Sequence, residues 1–251
     1  MNYNHRIVTR ERIAVLVLGL AAASCASEAD EVDTTAAPDT SAAMEASVAV
    51  ADGGILVDGW MGRIDAQEVE AGNTLEDARL AMEGDVLRVT TGPAVTYWNP
   101  ANTATGEYTV SATFTEAEYM SINDHPHPYG IVVAGNDLGT DQQSYLYCAA
   151  YGNGTFIARG FGPEPFRLNG ERPEPNEAIS QAAGPGTPVT QEIAVSVDAD
   201  SVDCSINGTV VGSYPTSEVV TAGRLTSTDG VYGIRFGHNT DGTVSGLTVT
   251  P

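Results

Sequence analysis

Residues 124–128, Asp-His-Pro-His-Pro, are the stretch best equipped for chemistry. In an extended chain His125 and His127 project to the same side, and paired imidazoles suit a divalent transition metal. A third ligand must come from elsewhere, with His238 and Asp137 as candidates. The competing reading is a proline-stiffened turn into the apolar run 130–135, because the stretch supplies too few ligands to close a site. Asn136, Asp137 and Asp141 place oxygen donors on a glycine-containing loop, a pattern that can hold Ca²⁺. The alternative is turn chemistry, in which Asx side chains bond their own backbone. The acidic group at 198–203 reads as a hairpin turn. Tyr97 and Trp98 offer flat faces on which a sugar ring can stack. Neighbours in a strand face opposite ways, so at least one of these two packs in a core. Arg235 shares its strand face with Gly233 and Gly237, which leave a groove for a carboxylate or sugar hydroxyls to meet the guanidinium. The alternative is a solvated arginine on an open sheet. The candidate ligand-binding set is thus Tyr97, Trp98, His125, His127, Arg235 and His238. The sequence has no Gly-x-Ser-x-Gly elbow, zincin helix or phosphate-binding loop, so no catalytic residue is assigned.

These residues need strands to hold them, and the chain supplies alternation with period two. Tyr108, Val110, Ala112 and Phe114 fall on one side of a strand, with Thr109, Ser111 and Thr113 on the other. Ile193, Val195 and Val197 form another apolar face, as do Val202, Cys204 and Ile206. Turn signals recur at 152–154, 198–200, 207–208, 229–230 and 241–242, where Asn-Gly and Asp-Gly tolerate positive φ. Residues 125–161 read as three strands with two turns. About twelve short antiparallel strands, each with one solvated face, predict an all-β, two-sheet antiparallel sandwich or jelly roll. Residues 75–82 offer at most a turn or two of helix. Residues 162–188 carry six Pro and four Gly, which excludes a central strand. Phe166 and Leu168 give this segment something to bury and favour an ordered flap.

The N-terminal end has the form of an export signal. Arg6, Arg10 and Arg12 precede an apolar run over 13–23 that is too short to span a bilayer. The run ends Ala22-Ala23-Ser24-Cys25, which resembles a bacterial lipobox in which the Cys is acylated, with Ala22 where Leu is usual. The alternative is an ordinary signal peptide with an incidental Cys. Residues 26–54 are rich in Ala, Ser, Thr, Asp and Glu, with no basic residue and no aromatic. Such a segment cannot offset its ordering entropy and is expected to be disordered. As a coil it spans roughly 30 Å. The expected division is therefore a signal peptide over 1–24, an acidic linker over 25–54 and a β-sandwich over 55–251. The 33 acidic and 11 basic residues, all arginine, give a formal charge of −22. That charge excludes nucleic acid and anionic headgroups as partners. It reads as solubility more readily than as an acidic recognition patch.

Residues 89–100 (VTTGPAVTYWNP), 106–115 (GEYTVSATFT), 125–139 (HPHPYGIVVAGNDLG), 206–212 (INGTVVG) and 233–239 (GIRFGHN) resemble a bacterial lipoprotein family of unassigned activity. That family has a concanavalin A-like lectin/glucanase jelly-roll domain and lies near the 3-keto-disaccharide hydrolase domains. The resemblance implies the fold over most of 55–251, while function drawn from it is analogy. The departures bear on catalysis. Jelly-roll glucanases resemble one another in a Glu-x-Asp-x-x-Glu strand, and here the nearest match, Glu83-Gly84-Asp85-Val86-Leu87-Arg88, ends in Arg. Keto-disaccharide-type domains often carry Tyr-Glu where this chain has Tyr147-Cys148.

Cys148 and Cys204 remain once Cys25 is lipidated, an even pair in an oxidising compartment. Alternation points both into the core. They either bridge opposing sheets or lie apart as two buried thiols. The reading that follows is an exported outer-membrane lipoprotein, periplasmic or surface-facing, that meets the membrane only through its anchor. Ala26 gives no Asp retention signal. Non-catalytic recognition of a glycan or other envelope ligand is the expected function. The alternatives are a hydrolase or lyase acting on a keto-sugar or disaccharide, and a structural or adhesion module. No cofactor is expected beyond Ca²⁺ at the Asn136 loop. Cys25→Ser is expected to release the protein from the membrane fraction; continued retention without acylation overturns the lipobox reading.

Overall fold

The computed structural model describes residues 47–162 and 164–251. The segment read as a signal peptide, Cys25 and the linker as far as 46 lie outside the described residues. The end of the expected linker is already part of the domain. Val48 N donates to Asn239 Oδ1 at 2.9 Å, and the first strand begins at Gly54. Backbone hydrogen bonding of this kind leaves no mark on composition.

Sixteen strands occur in the described chain. The first six are β1 Gly54–Ile55, β2 Met61–Ile64, β3 Ala78–Glu83, β4 Val86–Thr91, β5 Val95–Ala104 and β6 Tyr108–Glu116. Then come β7 Pro128–Asn136, β8 Ser144–Tyr151, β9 Thr155–Phe161, β10 Pro165–Arg167 and β11 Glu174–Pro175. The last five are β12 Val189–Val197, β13 Ser201–Ile206, β14 Thr209–Pro215, β15 Gly230–Phe236 and β16 Asp241–Thr250. Two short helices, α1 Ala66–Glu70 and α2 Thr216–Val219, interrupt them. The helical turn expected within 75–82 is a single 3-10 turn, Leu75–Asp77, followed by β3. The excess over twelve strands comes from β1, β2, β10 and β11, of two to four residues each, too short for alternation to register. No helix among the described residues is long and apolar enough to cross a membrane.

The strands form a two-sheet sandwich. One sheet has the order β1-β3-β4-β16-β6-β12-β13-β14, the other β10-β9-β8-β7-β15-β5-β2, with β11 also on β9. All pairings are antiparallel except β1 with β3. β6 alternates strictly, its buried face contributing Phe114, which stacks on Tyr129 across the core at 5.7 Å. Asn207 and Gly208, with φ of 51° and 78°, make the two-residue turn that joins β13 to β14. The turn expected at 241–242 is instead the start of β16, because Asp241 is drawn into the sheet by Arg88, Thr90 and its pairing with β4. The expectation of one solvated face per strand also fails for β7 and β8, which are buried on both faces. Val132, Tyr145, Tyr147, Ala149 and Ile157 form a second apolar cluster on the outer side of their sheet, with Leu138 packed on it. The proline-rich segment is ordered: Phe166 and Ile179 join the core, and buried Asn169 accepts from Ala158 N and donates to Phe156 O.

Cys148 on β8 and Cys204 on β13 are disulfide-bonded across the two sheets, with Cα atoms 5.8 Å apart and a sequence separation of 56. Closing a loop of that length restricts the unfolded chain by about 4 kcal/mol in the chain-entropy account. The double variant Cys148→Ala/Cys204→Ala is expected to lose 2–5 kcal/mol of unfolding free energy in urea titration, roughly that restriction. A loss below about 1 kcal/mol shows the sandwich to be independent of the bridge.

Candidate functional site

Two clusters gather the residues singled out by type and spacing, and both depend on β15. This strand lies between β7 and β5, with Arg235 opposite Gly130 on one side and Thr96 on the other. Thr96, Trp98, Val132, Tyr145, Tyr147, Ile157 and Phe161 share the outward face with Arg235, while Tyr97, Ile131, Ile234 and Phe236 face the core. Tyr97, fully buried in the core, is thus not a stacking surface, and only Trp98 of the aromatic pair faces outward. Trp98 is itself 3% exposed, with Gly139 of the 137–143 loop packed on its ring.

Arg235 is neither solvated nor open to a groove. It is 8% exposed, and its guanidinium binds the Asp65 carboxylate through both ends, at 2.8 and 2.5 Å. The same Nη1 donates to Thr96 Oγ1 at 2.9 Å and Tyr145 Oη at 3.1 Å. Tyr147 and Phe161 lie against the cation at 5.0 and 5.6 Å. Burial works against the charge, but Asp65 and the tyrosines outweigh it and hold the arginine pKa well above its usual value. The space beside Gly233 and Gly237 is taken up by Tyr97 O and Trp98 at the one and by Pro128 and His127 at the other.

The second cluster is histidine. The β7–β15 register runs from Phe236 opposite Tyr129 to a further bond, Gly237 N to Pro128 O at 2.7 Å, which sets His238 across from His127. A Cβ on Gly237 would meet Pro128 Cδ at 2.8 Å and His127 Cβ at 3.0 Å, so only glycine permits this approach. His125 and His127 each precede a proline, which drives both to extended backbone and turns them the same way. The rings then sit side by side, His125–His127 at 4.4 Å and His127–His238 at 4.0 Å between centroids. The 237–240 loop is pinned from behind. Thr91 Oγ1 donates to Gly237 O at 2.6 Å and accepts from Thr240 N at 2.9 Å, and Asn123 Nδ2 donates to Asn239 O at 2.6 Å. His127 is 6% exposed, and burial, then the neighbouring charges of His238 and His125, lower its pKa to about 3. It is neutral at pH 7. Asp124 accepts from His125 Nδ1 at 2.8 Å, a bond that holds the carboxyl below its usual range.

Helix α1 serves both clusters. Asp65 precedes it and makes no side-chain cap, because its carboxylate is turned to Arg235. Glu68, three residues on and so on the same face, places Oε1 3.7 Å from His238 Nδ1 and accepts from Ala94 N and Asn73 Nδ2. Sequence reading missed Asp65, Glu68 and Tyr145. The Asp-x-x-Glu spacing of 65–68 marks a helix start, but nothing in it names the partners.

Of the loop residues, the Asp141 carboxylate is drawn into an ion pair and the others make local contacts. Asn136 Nδ2 donates to Ala134 O and Asp229 O, Asp137 O accepts from Thr140, and Asp141 pairs with Arg63 at 2.6 Å. Arg88, standing where a glucanase-type strand would have its second Glu, binds Asp241 and lies 3.8 Å from Glu83.

No protein-family profile matches this chain, and no curated protein sequence matches it. Its structure is similar to the carbohydrate-binding module CBM66 from Bacillus subtilis, with a TM-score of 0.50 and 6% identity over 78% of this chain and 98% of that one. It is also similar to a protein of unknown function with a galectin-like fold from Bacillus subtilis, at TM-score 0.50 and 12% identity over 76% and 88%. An endo-β-1,3-glucanase from Pyrococcus furiosus matches at TM-score 0.45 and 11% identity over 76% and 87%. The two likenesses at TM-score 0.50 agree with the two-sheet jelly-roll sandwich seen in the strand order.

Glu116, at the end of β6, is 4% exposed, and Oε2 has no hydrogen-bond partner among the described residues. Burial, then the charge of Asp241, raises its pKa from 4.5 to about 8. The folded chain holds a proton there that the unfolded chain releases above 4.5, so this group's contribution to stability declines as pH rises from 4.5 to 8. Glu116→Gln is expected to stabilise the domain at pH 9 by on the order of 3 kcal/mol and to change little at pH 4. Equal effects at both pH values in denaturant titrations contradict this account.

Proposed function

We propose that the sandwich is a non-catalytic glycan-recognition module of the bacterial envelope, held at the outer membrane by lipid on Cys25. The single observation that carries the reading is the likeness to CBM66, which extends over nearly the whole of that carbohydrate-binding module. The aromatic outer face of the β7–β15 sheet supports it. Phe161, only partly buried, is the ring of that face open to stack on a sugar, while Trp98 and Tyr147 lie buried beneath the surface and support it. Arg235 then acts by fixing Tyr145 and Tyr147 rather than by touching sugar. The ion-paired Arg88 at the glucanase-like position favours binding over hydrolysis. Ca²⁺ at Asn136, Asp137 and Asp141 has less support, since Asn136 and Asp141 already serve a turn and an ion pair.

A glycan array probed with the full chain, with and without EDTA, tests the reading. Specific retention is expected, weakened about threefold to tenfold by Phe161→Ala, the loss of one stacking contact. Turnover of a retained glycan points instead to the hydrolase. Silence across the array favours a structural or adhesion module and overturns the proposal.

A further inference from the structure

We infer that His125, His127 and His238 bind one divalent transition cation of the zinc class, with Asp124 and Glu68 orienting the imidazoles from behind. Among the described residues this is the one group of three or more His, Cys, Asp or Glu side chains whose ligand atoms converge, all within 4.8 Å of one another. Three imidazoles form a nitrogen-only donor set. Such a set suits zinc and its neighbours in the transition series and excludes Ca²⁺ and Mg²⁺, which take oxygen.

The geometry lies a short movement from coordination. Zinc–nitrogen bonds of about 2.0–2.1 Å put tetrahedral ligand atoms about 3.4 Å apart, so the rings close by up to roughly 1.4 Å. His127 is the fixed member, buried on a proline-framed backbone. His125 and His238, with side chains 48% and 26% exposed, have room to turn towards it. The backbone carrying them does not need to move. Asn123 and the Gly237–Pro128 bond already hold the two segments together, and Thr91 braces the 237–240 loop. Asp124 lies at His125 Nδ1 and Glu68 stands behind His238 Nδ1 in the same sense. A carboxylate behind a ligating imidazole fixes its tautomer and raises its basicity. Three protein nitrogens leave the fourth position of a tetrahedral ion to water or to an oxygen of a bound molecule.

This inference stands apart from the glycan reading, because its test needs no sugar. The untagged full chain, stripped with EDTA and dialysed, is titrated calorimetrically with zinc chloride. One ion per chain is expected, with no response to calcium chloride. His125→Ala and His238→Ala, at the two more exposed positions, are each expected to weaken binding at least about a hundredfold. Asp124→Asn should cost about tenfold, the usual range for a group behind a ligand. Cobalt(II) should give the visible absorption bands of a tetrahedral centre, lost in His238→Ala. Circular dichroism establishes that each variant is folded. No saturable binding, or zinc affinity retained in a folded His125→Ala/His238→Ala double variant, overturns the assignment.

Discussion

The antiparallel register of β15 against β7 and β5 governs both clusters. Arg235 and His238 lie three residues apart, one within the strand and one just past its end. The register that places Arg235 opposite Gly130 and Thr96 also carries His238 to His127. A slip of one residue would turn Arg235 into the inter-sheet core and His238 away from its partners. The spacing is matched by α1, whose acids at 65 and 68 meet Arg235 and His238 in order. A five-residue helix, marginal by itself, thereby gains two long-range anchors.

The outer face of this sheet resolves an electrostatic conflict. A guanidinium surrounded by Tyr145, Tyr147 and Phe161 loses its hydration, and an isolated cation there would be strongly disfavoured. Asp65 supplies the opposite charge in a two-point geometry, and Thr96 and Tyr145 take a further donor. The arrangement makes Arg235 an organiser of the aromatic floor.

Much of this architecture was legible in the sequence. Alternation in β6, β12 and β13, and the Asn207-Gly208 turn, follow from side-chain periodicity and positive-φ tolerance, both local properties. The histidine pair was legible for the same reason, since two prolines constrain adjacent backbone. What escaped was non-local. His238 was one of two candidates for third partner until strand order brought it to His127, 111 positions earlier in the sequence. Arg235 looked solvent-facing because Gly233 and Gly237 flank it in sequence, whereas its surroundings come from β8, β9 and the residue before α1. Likewise β7 and β8 carry continuous apolar runs that fit burial on both faces, but only the sheet's outer covering shows why.

The strand order has a kinetic consequence. β15 is inserted between β5 and β7, and β16 between β4 and β6, so the last two strands complete the middle of both sheets. Until they are made, each sheet is split into two half-sheets with bare inner edges. Those edges can close only through contacts distant in sequence, a topology that slows folding. During that interval the apolar strands β5, β6 and β7 present unpaired backbone, the kind of edge that recruits other chains. The last two strands, one in each sheet, thus act as the keystones of both layers.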